Sequence, residues 1–302
     1  MSRAVSVVIP SYNSAQFLVQ TLDSVLAQTL PPAEVLVIDD GSTDETRALV
    51  ESYAARHPGL VRYIFQKNGG QAEARNHGMR AASCEWVAFL DSDDWWKPEK
   101  LARQVAVLEA SPESELIYTG LEVHYPDGHT EERLAPPPWT LWPELRYSNL
   151  ITPSTVLASR KVLLDAGGFD PRFRGTEDWE LWVRLGPRLK ASYLPAGWTC
   201  YRVSDSSVSL KVDHMLAQER AVLDKTLVAD LKGISAFVWR RRIESAILFR
   251  AAKSARFNRD PRDLRFLVQS VLQWPSPFFR PKRWQALAVV LQRRFWKSEI
   301  AP

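Results

Sequence analysis

Apolar and polar positions alternate in blocks over the first hundred residues. Residues 5–9 form a short β-branched run. Residues 14–28 carry Phe17, Leu18, Leu22, Val25 and Leu26 at helical spacing. A second strand is expected over 35–38. A second helix follows over 44–56, with Ser42 and Glu45 spaced as a capping box. Then come a strand over 61–65, an Ala-rich helix over 71–82, a strand over 86–90 and a helix over 98–108 with Pro98 near its first turn. Strands separated by helices of about 10–15 residues imply βαβ units and a mostly parallel α/β sheet. Such sheets bind ligands beyond the carboxyl ends of their strands. There the chain places Ser11-Tyr12-Asn13, Asp39-Asp40-Gly41, Asn68-Gly69-Gly70 and Asp91-Ser92-Asp93-Asp94, so four loops converge on one rim.

Composition narrows the reading. The 302 residues suffice for about two domains. Hydrophobic residues at 45% and charged residues at 25% exclude a disordered chain, a collagen-like chain and a small disulfide scaffold. The net charge of +4 is too small to argue for nucleic acid, and its distribution says more. Residues 233–302 hold 15 Lys/Arg against 4 Asp/Glu, so an acidic body carries a basic tail piece. Cys84 and Cys200 form no C-x-x-C, which suggests neither a thiolate zinc site nor a disulfide framework, and points to a reducing compartment. The run over 5–9 ends at Pro10 without a basic leader and reads as a first strand, not a secretion signal. No run of 18 apolar residues is present, so no membrane-spanning helix is expected. Neither G-x-G-x-x-G nor a P-loop motif occurs.

The rim residues each have two readings. Asp91 and Asp93 flank Ser92, and carboxylates on one tight loop repel unless a cation sits between them. Hard oxygen ligands suit Mg²⁺ or Mn²⁺; the alternative is turn-making or capping of the next helix. Asp39 and Asp40 can accept hydrogen bonds from a ribose or base, or cap the next helix through Asp-Gly-Ser-Thr. Tyr12 can stack on a base or pack on the sheet edge. Arg75 can reach a diphosphate, brace the acidic loop, or sit solvated.

Together these segments resemble the inverting family 2 glycosyltransferases, which have the GT-A fold. The matching stretches are Val5-Ser-Val-Val-Ile-Pro-Ser-Tyr-Asn13, Glu34-Val-Leu-Val-Ile-Asp-Asp-Gly-Ser-Thr-Asp44, Asn68-Gly-Gly-Gln-Ala-Glu-Ala-Arg-Asn-His-Gly78 and Phe89-Leu-Asp-Ser-Asp-Asp-Trp95. Gly167-Gly-Phe-Asp170 and Gly175-Thr-Glu-Asp-Trp-Glu-Leu-Trp182 follow in the same order. The resemblance implies a GT-A catalytic domain over 1–210, with a nucleotide-sugar half at 1–110 and an acceptor half at 111–210. A basic, amphipathic helical region over 211–302 completes the chain. Pro10, Tyr12, Asn13, Asp39, Asp40, Gly70, Arg75, Asp91 and Ser92 then belong to the donor site. Asp93, with Asp91, holds the divalent metal, Mg²⁺ or Mn²⁺. Glu177-Asp178 supplies the catalytic base, with Asp178 the preferred group. UDP is the expected carrier.

One departure stands out: many relatives carry a histidine after a Tyr-Arg pair, which some use at the metal, and Ser204 stands in that place, leaving Asp205 or a water to substitute. His77, His124, His129 and His214 read as surface or packing histidines. On the acceptor side, Thr152 borders the site and Trp179 is assigned to it. Trp139 and Trp142 either stack on sugars or form a lid over the core. Helices are expected over 215–228, 237–252, 264–272 and 284–295. Arg240–Arg242, Arg280, Lys282, Arg283, Arg293 and Arg294 lie among Trp274, Phe278, Phe279, Trp284 and Trp296. That mixture suits either an anionic membrane surface or a solvated helical cap. The expected partners are a glycan or lipid-linked acceptor and a membrane surface, not nucleic acid; the expected location is the cytoplasm, at the inner membrane face. A sugar-1-phosphate nucleotidyltransferase and a non-catalytic binding module are the competing readings.

Overall fold

The computed structural model describes residues 4–204, 211–229, 231–276 and 282–289. Asp205, Phe278, Phe279, Arg280, Arg293, Arg294 and Trp296 lie outside the described residues, and of the helix expected over 284–295 only 284–289 is described. The chain divides into two compact units, residues 1–145 with 149–204, and residues 146–148 with 205–302.

The first unit runs β1 (Val5–Ser11), α1 (Ala15–Leu26), β2 (Glu34–Asp39), α2 (Thr46–Arg56), β3 (Val61–Phe65), α3 (Gln71–Ala81) and β4 (Trp86–Phe89). It continues through β5 (Trp95–Trp96), α4 (Lys100–Ala110), β6 (Leu116–His124), β7 (Thr130–Arg133), α5 (Pro138–Leu145), β8 (Val156–Ser159), α6 (Arg160–Asp165), α7 (Glu177–Leu185) and β9 (Ala191–Arg202). One nine-stranded sheet results, in the order β3-β2-β1-β4-β8-β6-β9-β5, with β7 paired to β6. The β3-β2-β1-β4 half is parallel throughout. From β8 onward the sheet becomes mixed: β8 is antiparallel to both β4 and β6, and β9 runs parallel to β6.

Every residue of β1 and β2 is buried, because helices cover both faces. Their Val5, Val7, Ile9, Val35 and Val37 pack with Leu18, Leu22 and Val25 of α1. On the other face α3 lies close. A Cβ at Gly78 would stand 2.3 Å from Val8 Cγ1, so only glycine fits there. At Gly120 the β6–β9 register shifts, and a Cβ would meet the Pro195 carbonyl at 2.3 Å. The expected Ser42–Glu45 capping box does not form. Ser42 Oγ instead accepts the Asn13 N–H, and Asp44 accepts the N–H of Thr46 at 3.0 Å and of Ala15 at 3.1 Å. A local pattern lost to a contact 29 residues away.

The second unit is helical: α8 (Val212–Val222), a wide turn over Leu223–Leu227, α9 (Gly233–Phe257) and α10 (Asp263–Gln273). Leu248, Ala251, Ala252 and Ala255 of α9 pack on Phe266 and Leu267. Ser245 and Ser270 exchange hydroxyl-to-carbonyl hydrogen bonds of 2.7 and 2.6 Å between these helices. Arg283 is buried and caps the end of α10 by donating to the carbonyls of Ser270 and Trp274, each at 3.0 Å.

Candidate active site

The carboxyl ends of β1, β2 and β4 carry the predicted rim. Tyr12 is 53% exposed, and Asn13 takes a left-handed φ of 47° with its side-chain oxygen accepting the Thr43 N–H at 2.8 Å. Pro10 is buried at the end of β1. Asp39 and Asp40 are buried too. Asp39 accepts the Ser42 N–H (2.8 Å) and the Tyr63 hydroxyl (2.6 Å). Burial and that carboxylate raise the Tyr63 pKa. Asp40 accepts Gln66 Nε2 at 2.7 Å and the N–H groups of Gly69 and Gly70, each at 2.8 Å. Asp40 therefore builds the turn that opens α3, with Gly70 at a φ of 93°. No Cβ contact lies within 4 Å at Gly70, so open space faces it.

The acidic loop after β4 is held from several sides. Thr21 Oγ1 donates to the carbonyls of Ser92 (2.9 Å) and Asp94 (2.8 Å). Ser154 Oγ donates to Asp94 at 2.7 Å and accepts the Asp91 N–H at 3.0 Å. Asp94 also accepts the Arg202 N–H at 3.0 Å. Arg202 donates through Nε to the Asp93 carbonyl at 3.0 Å and lies over the rings of Trp95 and Phe17. Burial, together with the charges of Asp93 and Asp91, pushes Asp94 well above the usual carboxylate range. Asp93 is half-buried and pushed up to about 6 by burial and the Asp91 charge. Among the described residues no ion pair neutralises it.

Arg75 ties this loop to α7. It is fully buried, donating to Asp91 and to Glu177, each at 2.7 Å. Burial alone would lower its pKa; Asp91 and Glu177 outweigh that and raise it. Its neighbour Asn76 donates to the Phe169 carbonyl (2.7 Å) and accepts the Phe169 N–H (2.9 Å). Two motifs some 90 residues apart are thus stitched together by one amide.

At the start of α7 the two acids differ. Both Glu177 oxygens are engaged, one by Arg75 and one by the Gly175 N–H at 2.6 Å. Asp178 accepts its own neighbour's N–H, Trp179, at 2.7 Å and Asn149 Nδ2 at 2.8 Å. Burial and the Glu177 charge push Asp178 up to about 7. Asn149 was not singled out by the sequence, since no local motif marks a partner 29 residues away.

The acceptor-side residues do not share one setting. Trp179 is buried and donates through Nε1 to the Leu145 carbonyl at 2.6 Å. Its burial leaves the ring little surface to offer an acceptor. The Thr152 hydroxyl is buried and has no hydrogen-bond partner among the described residues. Trp139 is 72% exposed and meets Tyr193 edge-on, with ring centroids 6.3 Å apart. Ser204 is half-buried after β9.

Comparison with known proteins agrees with this architecture. The model of the family described as "Glycosyl transferase family 2" matches residues 6–158. A putative teichuronic acid biosynthesis glycosyltransferase, TuaG, of Bacillus subtilis is 32% identical over 214 residues, covering 68% of this chain and 81% of that protein. An uncharacterized glycosyltransferase of Nostoc sp. is 47% identical over 107 residues, 35% of this chain. The chain spans 33% of the Nostoc protein and 59% of two similar rickettsial proteins. Among solved structures, the mannosyltransferase PcManGT from Pyrobaculum calidifontis, in complex with GDP-Man and Mn²⁺, superposes with a TM-score of 0.63 at 20% identity, over 99% of this chain and 84% of that one. TarS 1-349 of S. aureus, in complex with UDP-GlcNAc, superposes at 0.60 and 20% identity, over 89% and 81%. These likenesses show the shared GT-A fold. The chain belongs to glycosyl transferase family 2.

Proposed function

Taking family membership as the premise, we propose that the chain is an inverting glycosyltransferase that moves a sugar from a nucleoside-diphosphate donor to a hydroxyl of a glycan or lipid-linked acceptor. One observation carries this reading: buried Arg75 joins the acidic loop to α7, where Asp178 is held near a pKa of 7. A carboxylate poised near neutral pH suits a general base. Asp178 takes the acceptor hydroxyl's proton while that oxygen attacks the anomeric carbon opposite the leaving group. One displacement then inverts the anomeric centre. Glu177, with both oxygens occupied, positions α7 and Arg75 and leaves proton transfer to Asp178.

The donor lies along the rim. Exposed Tyr12 offers a stacking face for the base, and Asp40 shapes the Gly69–Gly70 turn beside the open space at Gly70. UDP is the first carrier to test, and the UDP-GlcNAc complex of TarS supports that choice. The residues fit a divalent metal. Asp91, Asp93 and Asp94 gather hard oxygens, and half-buried Asp93 has no ion pair among the described residues. Asp93 and Asp91 would hold Mg²⁺ or Mn²⁺, which when bound offsets charge on the leaving diphosphate. The Mn²⁺ complex of PcManGT supports the same assignment.

On the acceptor side Thr152 and Trp139 are the contacts assigned, and the likeness to TuaG, a putative teichuronic acid biosynthesis glycosyltransferase, supports a cell-surface glycan. Among the described residues no helix is long and apolar enough to cross a membrane. The second unit offers a surface instead: exposed Ile234, Phe237 and Leu272, with Arg241 over the Phe237 ring and bonded to the Leu272 carbonyl. Apolar tips beside arginine suit an anionic bilayer at the inner face of a membrane. The test of the reaction is release of nucleoside diphosphate from a panel of nucleotide sugars with Mn²⁺ present. Release by wild type that falls at least a hundredfold in Asp178→Asn supports the reading; undiminished release in the variant refutes the base assignment.

A further inference from the structure

Outside the donor rim, one cluster of unlike metal-ligating groups stands on β6 and β9. Beyond the bulge at Gly120, Glu122 is paired with Cys200 across the two parallel strands. Glu122 and His124 are two residues apart, so their side chains share a face of the sheet. The Glu122 carboxylate, the His124 imidazole and the Cys200 sulfur each place a ligand atom within 4.8 Å of the other two.

The hydrogen bonding of the cluster leaves something to explain. Lys97 Nζ takes one Glu122 oxygen, Oε2, at 2.9 Å. The other, Oε1, lies 2.7 Å from His124 Nε2. That nitrogen is buried, yet the pair does not meet hydrogen-bond geometry. The ring plane of His124 is set by Trp95, 4.5 Å away between centroids. An imidazole nitrogen, a carboxylate oxygen and a buried sulfur thus converge, and among the described residues the first two are joined only by this close ion-pair contact.

We propose that Glu122, His124 and Cys200 form a second cation site, for Zn²⁺ or a transition metal of similar character, distinct from the acidic loop. One nitrogen, one sulfur and one oxygen make a borderline-soft set, which selects zinc-like ions over Mg²⁺. A tetrahedral ion with bonds of about 2.0–2.1 Å sets nitrogen and oxygen about 3.3 Å apart. Glu122 and His124, now 2.7 Å apart, would separate by about 0.6 Å to reach that spacing. Binding converts the Cys200 thiol to a thiolate and releases its proton to solvent, and a water completes the fourth position. The ion would fasten β6 to β9 directly behind the acidic loop, since Trp95 pairs with Cys200 and the Arg202 N–H holds Asp94.

The experiment is Co²⁺ titration of the full chain after chelator treatment, read by absorbance. Wild type is expected to develop a thiolate-to-cobalt charge-transfer band, which Zn²⁺ then abolishes by displacement. The band is expected to vanish in Cys200→Ser and to persist in Cys84→Ser and in Asp93→Ala; the last keeps this outcome separate from that of the donor site. His124→Ala, checked for folding by circular dichroism, provides a second variant and is expected to weaken Co²⁺ binding at least tenfold. No charge-transfer band in wild type, a band surviving Cys200→Ser, or unchanged affinity in His124→Ala overturns the proposal.

Discussion

Replacing Asn149 by leucine isolates the one side-chain hydrogen bond that the described structure gives Asp178. Asn149 Nδ2 donates to Asp178 Oδ2 at 2.8 Å, and this bond favours the charged carboxylate. Burial and the Glu177 charge act the other way and win, which is why Asp178 stands at about 7. A hydrogen bond to a charged group contributes about 1.5–3 kcal/mol. At about 1.4 kcal/mol per pKa unit, losing it raises Asp178 by roughly one to two units. Leucine is close in volume and leaves no polar atom or room for a bridging water. The direct assay is carboxyl ¹³C NMR of protein labelled at aspartate, with the Asp178 resonance assigned by Asp178→Asn. The expected titration midpoint moves from about 7 to between about 8 and 9, and the acid limb of kcat against pH moves with it. Near-wild-type turnover should return at high pH, which a general packing defect would not allow. A midpoint within about 0.3 of wild type would refute the claim that Asn149 tunes the base.

Three further expectations follow from the same geometry. Arg75→Met leaves buried Glu177 and half-buried Asp91 without their cation, so urea unfolding should show a loss of about 3–5 kcal/mol; a loss under 1 kcal/mol would contradict the tie. Asp178→Asn should abolish transfer yet raise thermal stability at pH 8. The folded-state pKa of Asp178 lies above its unfolded value of 3.8, so native Asp178 costs stability as pH rises from about 4 to about 7. The stabilisation by asparagine should accordingly fade by about pH 4, and equal gains at both pH values would be the contrary result. Vesicles containing phosphatidylglycerol should sediment the wild-type chain while phosphatidylcholine vesicles should not, and Phe237→Asp should reduce that binding; indifference to lipid charge would remove the membrane partner.

The parts of this molecule legible in the sequence are those whose signal is local. Each βα repeat of the parallel half carries its own apolar period and its own polar loop, so β1 to β4 and their helices could be laid out from pattern alone. The second half has no such repeat. β8 enters antiparallel between β4 and β6, and β9 is parallel to β6 across a bulge, pairings decided by tertiary closure of the sheet. The same division holds at the site. Asp91 and Asp93 announce themselves on one loop. Asn149 and Ser154 reach Asp178 and Asp94 from 29 and 60 residues away, and no motif spacing carries that distance. Ser42 shows the reverse error: a good local cap was overridden because its hydroxyl serves the Asn13 backbone. Cys200, isolated in sequence, meets Glu122 and His124 only through the β6–β9 register.

The central claim is that the acidic loop and the rim bind a nucleotide with a metal. Calorimetric titration with UDP, GDP, dTDP and CDP, each with and without Mn²⁺, tests it on wild type and on Asp93→Ala. The account predicts that one nucleotide binds wild type only when metal is present and that Asp93→Ala loses this binding by at least tenfold. Binding that ignores the metal, or that survives Asp93→Ala unchanged, would contradict it.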